Sequence, residues 1–250
     1  MNPRYVVRSD LVRMDDSKCD DKVYLGGSNQ NLTNLEPVGN NSQLQWMLRI
    51  NNKNVTFSVS VNNYQGDPFH LVQFTGTLLV NTELITTQTT AMALSKHDQN
   101  GTLEFVRTMW TYSGIRENQQ YSQLCFDSAG NIYIMSVFTG SIILNNGKII
   151  NGGINSTSGT VLIIKASPDG TILWDKTIDG TSGQTNQMAV DPQGNVYVVG
   201  TFIGFLQLSP SDSPLTSTDS PSNFYTLKLK TDGTIDFVLS AGSEGSRVNS

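Results

Sequence analysis

The stretch DPQGNVYVVGTFIG occupies residues 191–204, and DSAGNIYIMSVFTG, a near copy, occupies 127–140. Asp127 maps to Asp191, Gly130 to Gly194, Tyr133 to Tyr197 and Phe138 to Phe202, each pair 64 residues apart. A fixed spacing of this size marks a repeat architecture, in which each unit is one small supersecondary structure. A second signature follows the first. KASPDGTILW (165–174) answers to KLKTDGTIDF (228–237), and KHDQNGTLEF (96–105) fits the same template. NYQGDPFHLVQFTG (63–76) fits the first one.

Two registers compete for this alignment. Trp46, Trp110 and Trp174 are spaced by 64. Aligning on them breaks the frame of Lys, Gly-Thr and aromatic, which holds more matched points. Phe105, Trp174 and Phe237 are therefore taken as equivalents, behind Lys96, Lys165 and Lys228. The earliest unit is the shortest. DDKVYLGGS (20–28) resembles QGNVYVVGT (193–201), but Tyr24 precedes Phe69 by only 45 residues. The expectation is one domain, 1–250, of four units at about 11–58, 59–122, 123–186 and 187–249, with 1–10 left over.

Each unit reads as four strands; in the last they fall near 187–191, 195–202, 224–230 and 234–240. Val, Ile, Tyr, Phe and Thr fill them, and Gly, Asn, Asp and Pro punctuate them. Asp-x-x-Gly-Asn and Asp-Gly-Thr read as tight hairpins, since Asp bonds its own backbone two residues on and Gly supplies positive φ. Helical periodicity is confined to one short stretch near 83–95. In NVYVVGTF, Val196 and Val198 face one way and Tyr197 and Val199 the other, so both faces are apolar. TVLIIK (160–165) repeats the pattern. A sheet with one wet face would alternate apolar and polar. These sheets must be covered on both sides, which a face-to-face stack of four-stranded antiparallel sheets achieves: a β-propeller of about four repeats of 45–64 residues. A two-sheet sandwich is the alternative, and it leaves the period unexplained.

The third and fourth units, MAVDPQGNVYVVGTF through LKLKTDGTIDF above all, resemble the SBBP repeat, a β-propeller repeat named for seven-bladed propellers. The resemblance covers about half the chain. It implies propeller blades and leaves function open, since such repeats occur in many secreted, surface and viral proteins. Four units depart from the blade number that the family name implies.

Charged residues are only 15 % of the 250, and the net charge is −5. Without a Lys/Arg cluster, a surface that tracks nucleic-acid phosphates is not expected. No run of 18 apolar residues suggests a membrane-spanning helix. MNPRYVVRSDLVRMDD has charges where a signal peptide carries its apolar segment. Five Asn-x-Ser/Thr sequons occur, as many as chance supplies in a chain this rich in Asn, Ser and Thr. Cys125, in QLCFD, reads as a structural thiol, and with Cys19 makes no disulfide framework.

Catalytic and metal motifs are not evident. His70 lies in an expected strand and His97 beside a turn, without metal-ligand spacing to either cysteine. Asp127, Asp191, Asp169 and Asp232 supply one carboxylate per turn, where a calcium loop needs several oxygens, so they read as turn formers. Lys96, Lys165 and Lys228 could line a pore and bind an anion, but the simpler reading makes each a solvated guard at a strand edge.

In a four-strand meander the 2–3 and 4–1 connections emerge together on one face, and here they are long and differ from unit to unit: Asn145–Ser158, Ser209–Asn223 and Thr111–Ser122. Variable loops on a rigid scaffold carry binding. The candidate residues are Arg116, Glu117, Asn118, Asn145, Asn146, Lys148, Asn155, Asp212 and Asp219. The rival reading makes 209–223 a Pro/Ser tether. The expected function is a non-enzymatic binding or structural module for a protein or glycan, with no cofactor and with self-association open. Composition suits a virion or surface protein. The alternative is a glycan-cleaving propeller with acids around its axis. For closure, residues 4–8 (Arg4-Tyr5-Val6-Val7-Arg8) read as a spare strand that latches the ring, with further sequence or another copy as the other route.

Overall fold

The computed structural model describes residues 55–113, 122–152, 159–181, 187–208, 215–216, 223–241 and 247–249. The expected closing strand at 4–8 and residues 11–54 of the expected first unit, 11–58, lie outside them. The described residues form strands and turns with no helix, and every strand pairing described below is antiparallel. The chain divides into two compact units, residues 1–111 and 112–250.

In the first unit β1 (Val55–Asn62), β2 (Pro68–Val80), β3 (Glu83–His97) and β4 (Leu103–Tyr112) form a meander, each paired with the next. β1 runs across the 58/59 position at which the sequence placed a repeat boundary. The segment 83–95, which had hinted at helix, is strand throughout. Its β-branched Thr and Ile residues are stiff at χ1, and its apolar run Ala91–Leu94 is buried between two neighbouring strands.

The second unit contains two further meanders. The first is β5 (Ser122–Phe126), β6 (Ile132–Phe138), β9 (Thr160–Ala166) and β10 (Ile172–Thr181). The second is β11 (Gln187–Val190), β12 (Val196–Gln207), β14 (Asn223–Leu229) and β15 (Ile235–Ala241). The last of these four-strand expectations is met to within one residue, except that β12 continues five residues further. Two additional pieces sit in the 2–3 connections: a hairpin of β7 (Ser141–Leu144) and β8 (Ile149–Asn151), and β13 (Leu215–Thr216), which pairs with the end of β12. β16 (Arg247–Asn249) pairs with β15 as an outer strand and does not begin a new sheet.

The turns follow one rule. At Asn63, Asp98, Asp127, Ser167, Asp191 and Lys230 the residue's N–H donates to the carbonyl four residues on, and its carbonyl accepts from a glycine N–H three residues on. The glycines, Gly130 and Gly194 among them, have φ of +82° to +93°. This is a three-residue hairpin loop closed by a glycine bulge. Asp127 and Asp191 each accept backbone N–H bonds from residues two and four further on, and a side-chain bond from Asn131 or Asn195. The repeated acids are turn formers, as their spacing suggested.

The register chosen on Lys, Gly-Thr and aromatic is the one observed. Lys96 pairs with Phe105, Lys165 with Trp174 and Lys228 with Phe237. Trp110 pairs instead with Met92, so its 64-residue spacing is a coincidence.

β10 pairs with β12, so the two meanders of the second unit join in one curled antiparallel sheet, and the contacts between them repeat the sequence period. Ser128 donates through N and Oγ to the Pro192 carbonyl, 64 residues on. Met188 N donates to Gln123 Oε1, and Cys125 Sγ to the Met188 carbonyl. Tyr133, Met135, Val137, Val161 and Ile163 meet Val196, Val198, Tyr225, Leu227 and Val238 in one core. Both faces of β6 and β9 are buried along their whole length. That explains why the sequence there reads apolar on both faces.

Candidate functional site

Two features of the repeats carry polar and exposed chemistry: the lysine on the third strand, and the connection between strands 2 and 3.

Each repeated lysine lies between two aromatics. Lys96 is paired with Phe69 and Phe105, Lys165 with Tyr133 and Trp174, and Lys228 with Tyr197 and Phe237. The ammonium lies over the strand-2 ring at 5.8, 5.3 and 5.6 Å from the centroid. None of the three is on an edge strand, because each third strand has a neighbour on both sides, so the edge-guard reading is corrected. Aromatic rings flank the butylene stem, and the head finds an acceptor beyond them. For Lys96 the acceptors are Glu104 (2.7 Å) and Asp67 (3.4 Å). For Lys228 the partner is Asp236 at 2.8 Å, which raises the lysine pKa and lowers that of Asp236.

Lys165 is different because the next repeat covers it. Its Nζ donates to the carbonyl (3.1 Å) and Oγ1 (2.9 Å) of Thr231. Trp174 Nε1 donates to the same carbonyl at 3.0 Å, and the Tyr133 and Trp174 rings meet edge to face, centroids 6.2 Å apart. The Tyr133 hydroxyl points at Asp127 Oδ2 and the Gly194 carbonyl, both at 3.1 Å. Burial pushes the Tyr133 pKa up, and the Asp127 charge adds to it. This is a structural clamp between repeats.

The described residues of the 2–3 connections include paired strands. Each second strand reaches a glycine of positive φ, Gly76, Gly140 or Gly204. A small hairpin arm follows in each repeat: Thr77–Val80 with Glu83–Thr86, β7 with β8, and Phe205–Leu206 with β13. Glycine takes this left-handed φ without strain, and in the first repeat it sits at the register shift of β2 against β3. The expectation of an open loop at Asn145–Ser158 is corrected at its start, because β8 and the turn before it occupy 145–151.

Asn145, Asn146 and Lys148 are brought together at the tip of the β7–β8 arm, and all three are exposed. Asn146 Oδ1 accepts from Lys148 N at 3.0 Å, and Lys148 Nζ bonds Asp175 Oδ2 at 2.6 Å. Arg116, Glu117, Asn118, Asn155, Asp212 and Asp219 lie outside the described residues. The arm also carries what the loop reading missed. Ile143 and Ile149 are cross-strand partners, 36 % and 61 % exposed, while Ile142, Leu144 and Ile150 on the other face are buried. Leu84 on the first arm and Phe205 on the third are also exposed. The signal was in SIILNNGKII, whose alternation about Asn-Asn-Gly spells a hairpin with one apolar face left outward.

Two further groups lie away from the arms. His70 and His97 meet edge to face at 5.2 Å between ring centroids, both buried, and Ser60 Oγ lies 2.7 Å from His70 Nδ1. Nothing in their sequence spacing joins them, since they meet only because β2 and β3 pair. Burial, then the neighbouring His97, lowers the His70 pKa to about 3, and burial lowers His97 to about 4. Cys125 is partly buried against the core, and burial pushes its thiol up to about 11, which fits the structural reading. Among the described residues no three His, Cys, Asp or Glu side chains converge as a metal site, and no helix is long and apolar enough to cross a membrane.

Compared with known proteins, the chain matches no family model and no curated protein.

Proposed function

We propose that the chain is a non-enzymatic scaffold of propeller-type blades, related to the SBBP repeat, that holds a protein partner on its hairpin arms. The observation that carries this reading is the exposed Ile143–Ile149 pair beside Asn145, Asn146 and Lys148 on a rigid hairpin. Exposed aliphatics rimmed by amides and one cation suit a protein surface better than a sugar, which calls for aromatic platforms and converging polar groups. The four-stranded meanders and the contacts between them at one repeat length support the blade assignment. The repeated acids do not favour the glycan-cleaving alternative, since Asp98, Asp127 and Asp191 spend their acceptors on their own turns. The low charge and Asn-rich composition suit a virion or surface protein.

The test compares the purified chain with Ile143→Glu/Ile149→Glu. Both are assayed against a panel of surface proteins from the source cell or its host and against a glycan array. The expected result is saturable binding to a protein, lost in the double variant with its melting temperature kept. Binding to glycans alone, release of sugar from any glycan, or equal binding by the variant would overturn it.

A further inference from the structure

The chain has two histidines, and both lie in the first unit, where they meet. Side chains alternate along a strand, so His70 shares a face of the meander with Val72 and Phe74, and His97 shares it with Ala91 and Ala93. Those four apolar residues belong to one buried core. His70 is 4 % exposed and His97 0 %. Ser95, the cross-strand partner of His70, is buried beside them.

The other ionisable groups described in this unit lie elsewhere. β1 carries none, and β2 none besides His70. On β3, Lys96 takes the opposite face, over the Phe69 ring, where its head holds Glu104 of β4 and Asp67 of the turn before β2. Arg107 of β4 lies over Phe105, the partner of Lys96, on that same opposite face. Glu83 stands at the far end of the β2–β3 hairpin, paired with Val80, and Tyr112 ends β4. Asp98, next to His97 in the turn, is the carboxylate that favours a charged imidazole, and burial outweighs it. Its Oδ1 already accepts from the backbone N–H groups of Asn100 and Thr102.

We infer that this pair makes the first unit an acid-opened element: in mild acid the β1–β4 meander opens while the second unit stays folded. An imidazolium on a buried apolar face loses its hydration, and a second one 5.2 Å away, centroid to centroid, adds like-charge repulsion. Opening admits water and removes both costs. Burial holds His70 to about 3 and His97 to about 4 in the fold. Above about pH 6.5 both imidazoles are therefore neutral in either state, and below it the opened form alone takes up protons until the folded values are reached. The second unit contains no histidine. Its Asp191, Asp232 and Asp236 are held below the usual carboxylate range by hydrogen bonds from Asn195, Thr234 and Lys228. They stay charged across the same window, so the stability they supply is kept there. The inference goes beyond the arm-binding proposal and does not depend on it.

Hydrogen exchange on the full chain, read by mass spectrometry and corrected for the intrinsic rate at each pH, tests this from about pH 7.5 to about 4.5. Protection of residues 69–97 should fall on the order of a hundredfold between about pH 7.5 and about pH 5. Protection of 160–166 and 196–202 in the second unit should hold over the same range. His70→Gln/His97→Gln, which cannot take up the protons, should keep its neutral-pH protection of 69–97 in acid. If the double variant does not fold, the comparison of the two units in the wild type decides alone. Equal loss of protection in both units, no loss in 69–97 at the acid end, or a folded double variant that opens in acid like the wild type overturns the inference.

Discussion

The Lys165 ammonium donates to the Thr231 backbone carbonyl across 66 residues of sequence, and to Thr231 Oγ1 as well. The bond joins the third strand of one repeat to the turn of the next. It is held over the Tyr133 ring, with 6 % of the lysine exposed.

Lys165→Met keeps the stem and removes the donor. It should cost about 1–3 kcal/mol, because a charged hydrogen bond is lost. Lys228→Met, whose head pairs with Asp236 at a solvent-screened site, should cost clearly less than Lys165→Met. Urea melts of the two variants decide it. Equal losses would place the Lys165 bond outside the inter-repeat clamp.

Gly194 has φ +89°, and a Cβ there would sit 2.6 Å from Tyr133 Oη and 3.0 Å from Asp127 Oδ2. Gly194→Val therefore adds backbone strain to a clash with a buried hydroxyl and should lose about 2–4 kcal/mol. Gly204 has φ +81° with nothing within 4 Å of its Cβ position. Gly204→Ala carries the strain alone and should lose about 1 kcal/mol. Thermal melts that put the two at the same cost would reject the packed turn.

Trp174 is only partly buried, packed against the core at its rim. Its indole donates to Thr231, and Gly233 leaves room for its ring, a Cβ there lying 2.9 Å from the nearest ring carbon. Trp174→Ala should cost about 2–3 kcal/mol, below the range for a fully buried tryptophan. Trp174→Phe should cost about 1 kcal/mol through the lost hydrogen bond. A Trp174→Ala variant that melts like the wild type would remove the ring from the interface.

The buried His70–His97 pair makes the first unit acid-sensitive. In the unfolded chain both imidazoles titrate near 6.5; in the fold they hold out to about 3 and about 4. Below pH 6.5 the unfolded chain takes up protons that the fold refuses. Stability should therefore fall as pH drops from about 6.5 toward 4 and level off below about 3, a loss of a few kcal/mol. His97→Gln should flatten that slope. Unfolding free energies measured from pH 7 to 4 check it, and an unchanged slope would mean that the pair does not titrate on unfolding.

The turns, the strands and the register were legible in the amino-acid string because each rests on local chemistry. Asp127 and Asp191 cap a loop closed by glycine within five residues, so Asp-x-x-Gly-Asn could be read without the fold. Lys165 and Trp174 lie at a fixed separation across one hairpin, so the repeat frame could be chosen over the tryptophan spacing. Tyr197 and Val199 opposite Val196 and Val198 announced a sheet with two apolar faces. What the string could not tell was which groups meet at long range. His70 and His97 touch because two strands pair in one register, and Lys165 leaves the solvent because the next repeat covers it. Ile143 and Ile149 became an exposed pair because β7 and β8 pair in one register with that face outward. Burial of a side chain depends on what the rest of the chain places over it, and that is set by packing, not by the residue's neighbours in sequence.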